Sequence, residues 1–391
     1  MLRKWSPIVV VVLLVLSVVG GSFYKKKYLS NPKTIPHEEE VTSGPIIEDP
    51  VLHELGLHNI PFIRDEKLWY QYGFGFSQAQ ATHIPYTFGR RFSISHDYET
   101  NTIATLEQST PYLTNKNEWV AKQGVFVTNL ISGDTKLIFE QEIDVSKNNF
   151  GYKGAPQVVQ TKILQGGKSV LISTMEEVYQ YDLISDKLSK LFLITQEDKK
   201  NGGGYYRPRS SPNGSYILFD RLYDEGSSNK IYDIVRKKLV SLPYQQYAGG
   251  ESVYDWASND SFVMMRCSYN EDKFECHKYL VRYPSLEEKE ISQNIANVFH
   301  RNNTTFMLLY NENGDEKTRL VKYLPETEEM ETIYTFDTSD IRELVYFKEK
   351  NAILIQLHVD LKVLIKNENT GKFEMHTLLD NAASASDEPH L

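Results

Sequence analysis

The stretch Arg209–Phe219 reads R-S-S-P-N-G-S-Y-I-L-F and predicts a β-hairpin. A short polar segment runs into the turn Ser-Pro-Asn-Gly, and an alternating apolar segment, Tyr216 to Phe219, leaves it. Proline presets φ at one corner of a tight turn, and Asn-Gly tolerates positive φ at the next positions. Two antiparallel strands can therefore reverse direction here at little conformational cost.

Apolar strand segments of the same kind recur along the chain. They begin at Ser169, Ser215, Ser261, Thr305 and Ala352, at spacings of 46, 46, 44 and 47 residues. A period in the forties with several short strands per unit is typical of a β-propeller, in which each unit is one four-stranded blade. With one more unit over residues 91–139, the sequence predicts an all-β, six-bladed β-propeller spanning residues 90–380.

The hairpin sequence also carries a family resemblance. Ser-Pro-Asn-Gly, the apolar strand and the following Lys230-Ile-Tyr-Asp-Ile segment resemble the repeat of TolB-like six-bladed propellers, whose units read Ser-Pro-Asp-Gly, apolar strand, Ile-Tyr strand. The other units keep the spacing and lose the turn residues. The resemblance implies a propeller that lies outside the cytoplasmic membrane of a bacterium and serves as a protein-interaction platform. Such propellers also form the non-catalytic half of prolyl-oligopeptidase-like enzymes.

Residues 1–28 predict a membrane anchor. Arg3 and Lys4 precede an apolar segment, and the 20 residues from Trp5 to Tyr24 match the length of a membrane span with an aromatic residue at each interface. We favour an uncleaved transmembrane helix, so the propeller would belong to a single-pass protein of the cell membrane. A cleavable signal peptide is the alternative.

The remaining segments outside the repeats are short. Residues 29–50 are polar, contain four prolines and predict a flexible tether. Residues 51–89 form an extension that could close the ring or pack across one face. The small, polar and acidic residues 381–391 predict a disordered tail.

The charge balance excludes one class of partner. The formal net charge is −9, and the first 27 residues hold five basic and no acidic residues, so the rest of the chain carries −14. An acidic body does not suit a phosphate backbone, and no nucleic-acid partner is expected.

The two cysteines predict the compartment. Folding the chain around Asn270–Lys273 sets Cys267 opposite Cys276, where paired Cβ atoms lie ~4.5–5.5 Å apart, near disulfide reach. A disulfide requires an oxidising compartment, which places the propeller on the extracytoplasmic side of the membrane. The alternative is a pair of buried thiols.

Motifs for known catalytic and metal chemistry are incomplete. No Gly-x-Ser-x-Gly elbow occurs, and His53 and His58 are one residue too far apart for the His-Glu-x-x-His zinc motif. Asn311–Asp315 places oxygen ligands at alternate positions, as a calcium loop does, but also suits a hairpin turn. We therefore predict no metal, cofactor or catalytic residue.

The predicted binding surface is the axial funnel, where the loops that feed the first strand of each blade open on one face. Tyrosine and arginine are the residues most enriched at binding hot spots. The candidate binding residues are Arg90, Arg91, Tyr205, Tyr206, Arg207, Glu251 and Arg342. The sequence thus predicts a membrane-anchored platform that binds a protein or cell-envelope component and catalyses nothing. The alternative is a propeller-type enzyme, such as a glycan lyase or hydrolase, with its site at this funnel.

Overall fold

The computed structural model describes residues 60–384, except 65–66, 73–79, 98–99, 146–156, 165–166, 195–205, 224–225, 248–250, 271–272, 292–293, 302–303, 311–316, 325–326, 328, 338–340, 358–359 and 380–382. The described residues form β-strands and one 3₁₀ turn, Lys348–Lys350.

The first four sheets in chain order contain the following strands: β1 Pro61–Arg64, β2 Lys67–Tyr72 and β3 Gln80–His83; β4 Gly89–Asp97, β5 Thr102–Ser109, β6 Tyr112–Leu113, β7 Trp119–Asn129 and β8 Thr135–Asp144; β9 Val158–Ile163, β10 Ser169–Thr174, β11 Glu177–Asp182 and β12 Lys187–Leu193; β13 Tyr206–Ser210, β14 Tyr216–Tyr223, β15 Gly226–Asp233 and β16 Lys238–Tyr247. We number them sheets I to IV.

The last three sheets, V to VII, contain these strands: β17 Glu251–Trp256, β18 Ser261–Asn270, β19 Lys273–Arg282 and β20 Glu287–Ile291; β21 Ile295–Arg301, β22 Thr304–Tyr310, β23 Thr318–Leu324 and β24 Glu329–Phe336; β25 Ile341–Phe347, β26 Ala352–Leu357, β27 Leu361–Lys366 and β28 Phe373–Leu379. A last strand, β29 Ala383–Ser384, returns to sheet I, where it pairs with β1.

Every sheet is antiparallel, and in sheets III to VII the strands are ordered as they occur in the chain. The hairpin predicted at Arg209–Phe219 is confirmed, because Arg209 pairs with Leu218 and Ser210 with Ile217. Gly214 has a positive φ of 70°. The Ser211 hydroxyl closes the turn by accepting a hydrogen bond from the Tyr216 backbone N–H at 3.0 Å. The local rule that predicted the turn therefore holds in atomic detail.

The core consists of apolar clusters between consecutive sheets. Alternate residues of each second strand face opposite neighbours: Leu171 packs toward sheet IV, whereas Val170 and Ile172 pack toward sheet II. Equivalent clusters join IV to V, V to VI and VI to VII. Two more join VII to I and I to II, so the sheets form a closed ring. A ring of antiparallel sheets packed face to face is a β-propeller.

The predicted number of blades is wrong by one, because the described residues form seven sheets instead of six. The additional sheet I takes three strands from the N-terminal extension and one from the tail that was predicted to be disordered. In it, Phe62 pairs with Ser384 and Ile63 with Ala383. Strand β29 is held in sheet I by backbone hydrogen bonds and needs no apolar sequence pattern. The polar composition of the tail therefore did not indicate a strand there.

The disulfide is confirmed. Cys267 and Cys276 are bonded and occupy directly paired positions on β18 and β19. Among the described residues no helix is long and apolar enough to cross a membrane. The predicted anchor, residues 1–28, lies outside them.

Candidate functional site

Five first strands each carry a charged residue into one region, which we call the axial cluster. Its members are Lys162 of β9, Arg209 of β13, Asp255 of β17, Arg301 of β21 and Glu343 of β25. The other four charges all act on the Lys162 ammonium. Charges from five separate sheets can act on one another only where the first strands converge, at the propeller axis.

Lys162 and Asp255 are shifted toward their neutral forms. Burial lowers the pKa of Lys162 to about 8, with Arg301 and Arg209 adding to the decrease and Glu343 and Asp255 opposing it. Burial raises the pKa of Asp255, against the opposing effect of Arg209, Arg301 and Lys162. An enclosed site thus holds an amine and a carboxyl group whose charged forms are both disfavoured by burial.

Arg209 is fixed in place by its sheet. Its Nη1 and Nη2 atoms donate to the two carboxylate oxygens of Asp220 at 3.1 and 2.5 Å. Asn229 Nδ2 donates to the same carboxylate at 2.8 Å and holds it from the other side. A guanidinium held by a fork of two bonds keeps its orientation, which suits the recognition of a planar anion.

Hydrogen bonds of Trp256 hold the backbone next to Asp255. The indole Nε1 of Trp256, a fully buried residue, donates to the Arg209 carbonyl at 2.9 Å. The Asp255 Oδ1 atom accepts the Trp256 amide at 2.7 Å. Arg209 and Asp255 therefore sit on two strands that one tryptophan fastens together.

His300 precedes Arg301 and has a defined tautomer. Thr305 Oγ1 donates to the Ala257 carbonyl at 2.7 Å and lies 2.8 Å from His300 Nδ1, so the histidine must donate from Nδ1. Burial, with Arg301, lowers the pKa of His300 to about 4. The imidazole is neutral near pH 7, and its enclosed Nε2 has no hydrogen-bond partner among the described residues.

The funnel residue Arg91 has a structural role. Its Nε donates to Glu107 Oε1 at 3.0 Å, and its Nη2 donates to the carbonyls of Ile84 and Pro85. Glu107, only 1% exposed, also accepts two backbone amides, those of Thr87 and Phe88. The pair fastens residues 84–88 to sheet II, and the enclosed Arg91 Nη1 has no hydrogen-bond partner among the described residues, so a binding role for Arg91 stays a prediction.

The other predicted funnel residues do not form one cluster of charges among the described residues. Arg90, Arg207 and Arg342 are exposed, and Arg90 lies over the Phe92 ring at 5.3 Å. Tyr206 and Glu251 are placed as the first residues of β13 and β17, and Tyr205 lies outside the described residues. Their role in binding stays a prediction.

The axial cluster was not predicted, because its members lie inside the first strands and the predicted funnel residues lie in or next to the loops that feed them. A signal was present: Lys162, Arg209, Asp255, Arg301 and Glu343 follow one another at spacings of 47, 46, 46 and 42 residues. A charged residue that recurs in the first strands with the period of the blades marks a position facing the axis.

Within the part of the chain that the structure describes, no group of three or more His, Cys, Asp or Glu side chains is placed to hold a metal ion. His53, His58 and the Asn311–Asp315 loop lie outside that part, so the calcium alternative stays open.

The fold is shared with several solved structures. The tricorn protease is 11% identical over 90% of this chain and 36% of its own, with a TM-score of 0.50. An oligogalacturonate lyase in complex with manganese is 11% identical over 75% of this chain and 86% of its own, with a TM-score of 0.47. A periplasmic gluconolactonase of Pseudomonas aeruginosa is 10% identical over 84% and 97%, with a TM-score of 0.46. No protein-family model and no curated protein matches the sequence.

The prediction of a platform that catalyses nothing is wrong by this comparison. By their names the similar structures are mostly enzymes, including the lyase, the lactonase and several peptidases. At about a tenth identity the likeness establishes the propeller fold alone.

Proposed function

We propose that this protein is a propeller-type enzyme whose active site is the axial cluster, and that it is a lyase acting on a glycan that carries carboxylates. The observation that carries the proposal is the joint placement of one amine, two guanidiniums and one protonatable carboxyl group on rigid first strands. Catalytic groups work best when their pKa values lie near the operating pH, and burial lowers the pKa of Lys162 toward neutrality.

Each group has a definite role in elimination from a uronate. Arg209 and Arg301 bind the substrate carboxylate, which makes the hydrogen on the neighbouring carbon more acidic. Neutral Lys162 removes that proton. The electron pair forms a carbon–carbon double bond, the glycosidic C–O bond breaks, and protonated Asp255 supplies a proton to the departing oxygen. The products are an unsaturated uronate and a sugar with a new hydroxyl group, so no co-reactant is consumed.

We propose a location for this activity on the extracytoplasmic side of the cell membrane, with residues 1–28 as the anchor. The disulfide between Cys267 and Cys276 supports an oxidising compartment. The apolar N-terminal segment and the TolB-like hairpin sequence agree with it. An enzyme in that position would meet envelope or extracellular glycans.

The test incubates the full chain, in detergent, with acidic glycans such as polygalacturonate and alginate and with neutral glycans as controls. Ultraviolet absorbance detects the unsaturated product, and a reducing-end assay detects cleavage of either type. We expect both signals on an acidic glycan and neither after Asp255→Asn. Reducing ends without absorbance would identify a hydrolase instead. Absence of cleavage on every acidic glycan would overturn the proposal.

A further inference from the structure

A cleft of about 410 Å³ opens between the outer strands of sheets V and VI, away from the first strands that carry the axial cluster. We call it the outer cleft. One wall is formed by β19 and β20, and the other by β22, β23 and β24. The volume falls within the usual range for small-molecule sites, about 300–1,000 Å³.

The walls of the outer cleft combine apolar and polar side chains. The apolar ones are Leu280, Ile291, Leu309, Val321, Tyr323 and Met330, and the polar ones are Lys289, Glu290, Arg319 and Thr332. Val321 and Tyr323 alternate with Arg319 along β23, so all three side chains stand on one face of the sheet. Arg319 therefore lies at one end of an apolar row.

Two basic residues, Arg319 and Lys289, and one acidic residue, Glu290, line the cleft. The Arg319 Nε atom is enclosed and meets no acceptor among the described residues. A buried donor of a charged group without an acceptor is costly, and native structures supply a partner to nearly every such group. The acidic residue of the cleft, Glu290, accepts a hydrogen bond from His277 Nδ1 at 2.7 Å, on the exposed side of β20.

We propose that the outer cleft binds an amphipathic carboxylate, a monoanion whose aliphatic chain lies along the apolar row and whose carboxylate pairs with Arg319. The apolar side chains of the walls favour the chain, and the guanidinium favours the anion at its end. The site is independent of the proposed lyase reaction, since none of its residues belongs to the axial cluster.

The test uses decanoate that carries a photoreactive diazirine, added to the full chain in one detergent for all samples. After photolysis, mass spectrometry locates the labelled peptides. We expect label on the peptides of β19–β20 and β22–β24, with competition by decanoate, weaker competition by decanol and none by acetate. Competition by decanol equal to that by decanoate would overturn the role of the carboxylate.

Two variants and a control separate the contributions. Arg319→Gln should weaken competition by decanoate about tenfold or more and leave decanol unchanged. Met330→Trp should fill the cleft and abolish labelling there. Arg282→Gln, an exposed arginine on β19, should behave as the parent chain. Circular dichroism confirms that each variant is folded. Labelling that survives in both cleft variants, or that maps to other strands, would refute the proposal.

Discussion

Arg209 on β13 and Asp220 on β14 form a forked ion pair inside sheet IV, with side chains only 14% and 13% exposed. The pair joins the stability of the sheet to the geometry of the axial cluster, because Arg209 is also one of the charges that act on Lys162 and Asp255. A substitution at Asp220 should therefore change both the stability of sheet IV and the geometry of the axial cluster.

Asp220→Ala should lower the free energy of unfolding by about 2–3 kcal/mol, since it leaves an enclosed guanidinium and the Asn229 amide without their acceptor. Chemical denaturation measures the change. Asp186→Ala is the matched control: its pair with Lys136 is 62% and 55% exposed and should contribute no more than about 1 kcal/mol. Equal losses in the two variants would contradict the structural role of the Arg209–Asp220 pair.

The proposed base gives a pH dependence for the lyase activity. Lys162 must be neutral to accept a proton, and its pKa is about 8. We expect kcat/KM to rise about tenfold per pH unit on the acid limb, where little Lys162 is neutral, and to fall on the alkaline limb, where Asp255 loses the proton that it must donate. Lys162→Met should abolish turnover, whereas Lys187→Met, an exposed lysine of β12, should leave it unchanged. A profile without an acid limb would exclude Lys162 as the base.

His300 predicts a loss of stability in acid. Its folded pKa is about 4 against an ordinary 6.5, so on acidification the unfolded chain takes up the proton first. The stability is fully present above pH 6.5 and falls as the pH decreases toward 4. We expect His300 to account for about 2 kcal/mol of that fall, allowing for the part of the ring that water reaches.

Denaturation curves of His300→Gln measured near pH 7 and near pH 4 provide the test. The variant should lose less stability on acidification than the parent chain does. His277→Gln, an exposed histidine on β19, should keep the parent's pH dependence. An unchanged acid response of His300→Gln would show that other groups, such as buried His96, account for it.

The disulfide predicts a measurable contribution to stability. Cys267 and Cys276 enclose eight residues, for which loop-closure entropy implies roughly 2–3 kcal/mol. Cys267→Ser should lower the unfolding midpoint without preventing folding, because each sheet is also held by its neighbours. In native protein prepared without reductant, maleimide should label neither cysteine until the chain is denatured and reduced. Ready labelling of both thiols would argue against an oxidising compartment.

Local rules predicted most of the strands, and long-range pairing explains what they missed. Turn chemistry at Ser211–Gly214 and the recurrence of apolar strands place the sheets from II to VII, and cross-strand counting places Cys267 opposite Cys276. The pairing of Phe62 with Ser384 joins residues more than 300 positions apart, and no local pattern encodes it. The axial cluster was hidden for a related reason: its members become neighbours only when the ring closes.

Ring closure by the C-terminal strand gives the last prediction. Strand β29 pairs with β1 and thereby joins the two ends of the propeller in sheet I. Removing residues 383–391 should lower the unfolding midpoint and expose the apolar cluster that contains Ile60, Phe62 and Trp69, since that cluster packs against sheet VII. Removing residues 386–391 alone keeps β29 and is the matched control. Thermal unfolding and binding of a hydrophobic dye measure both effects. If the two truncations behaved alike, β29 would have no part in closing the ring.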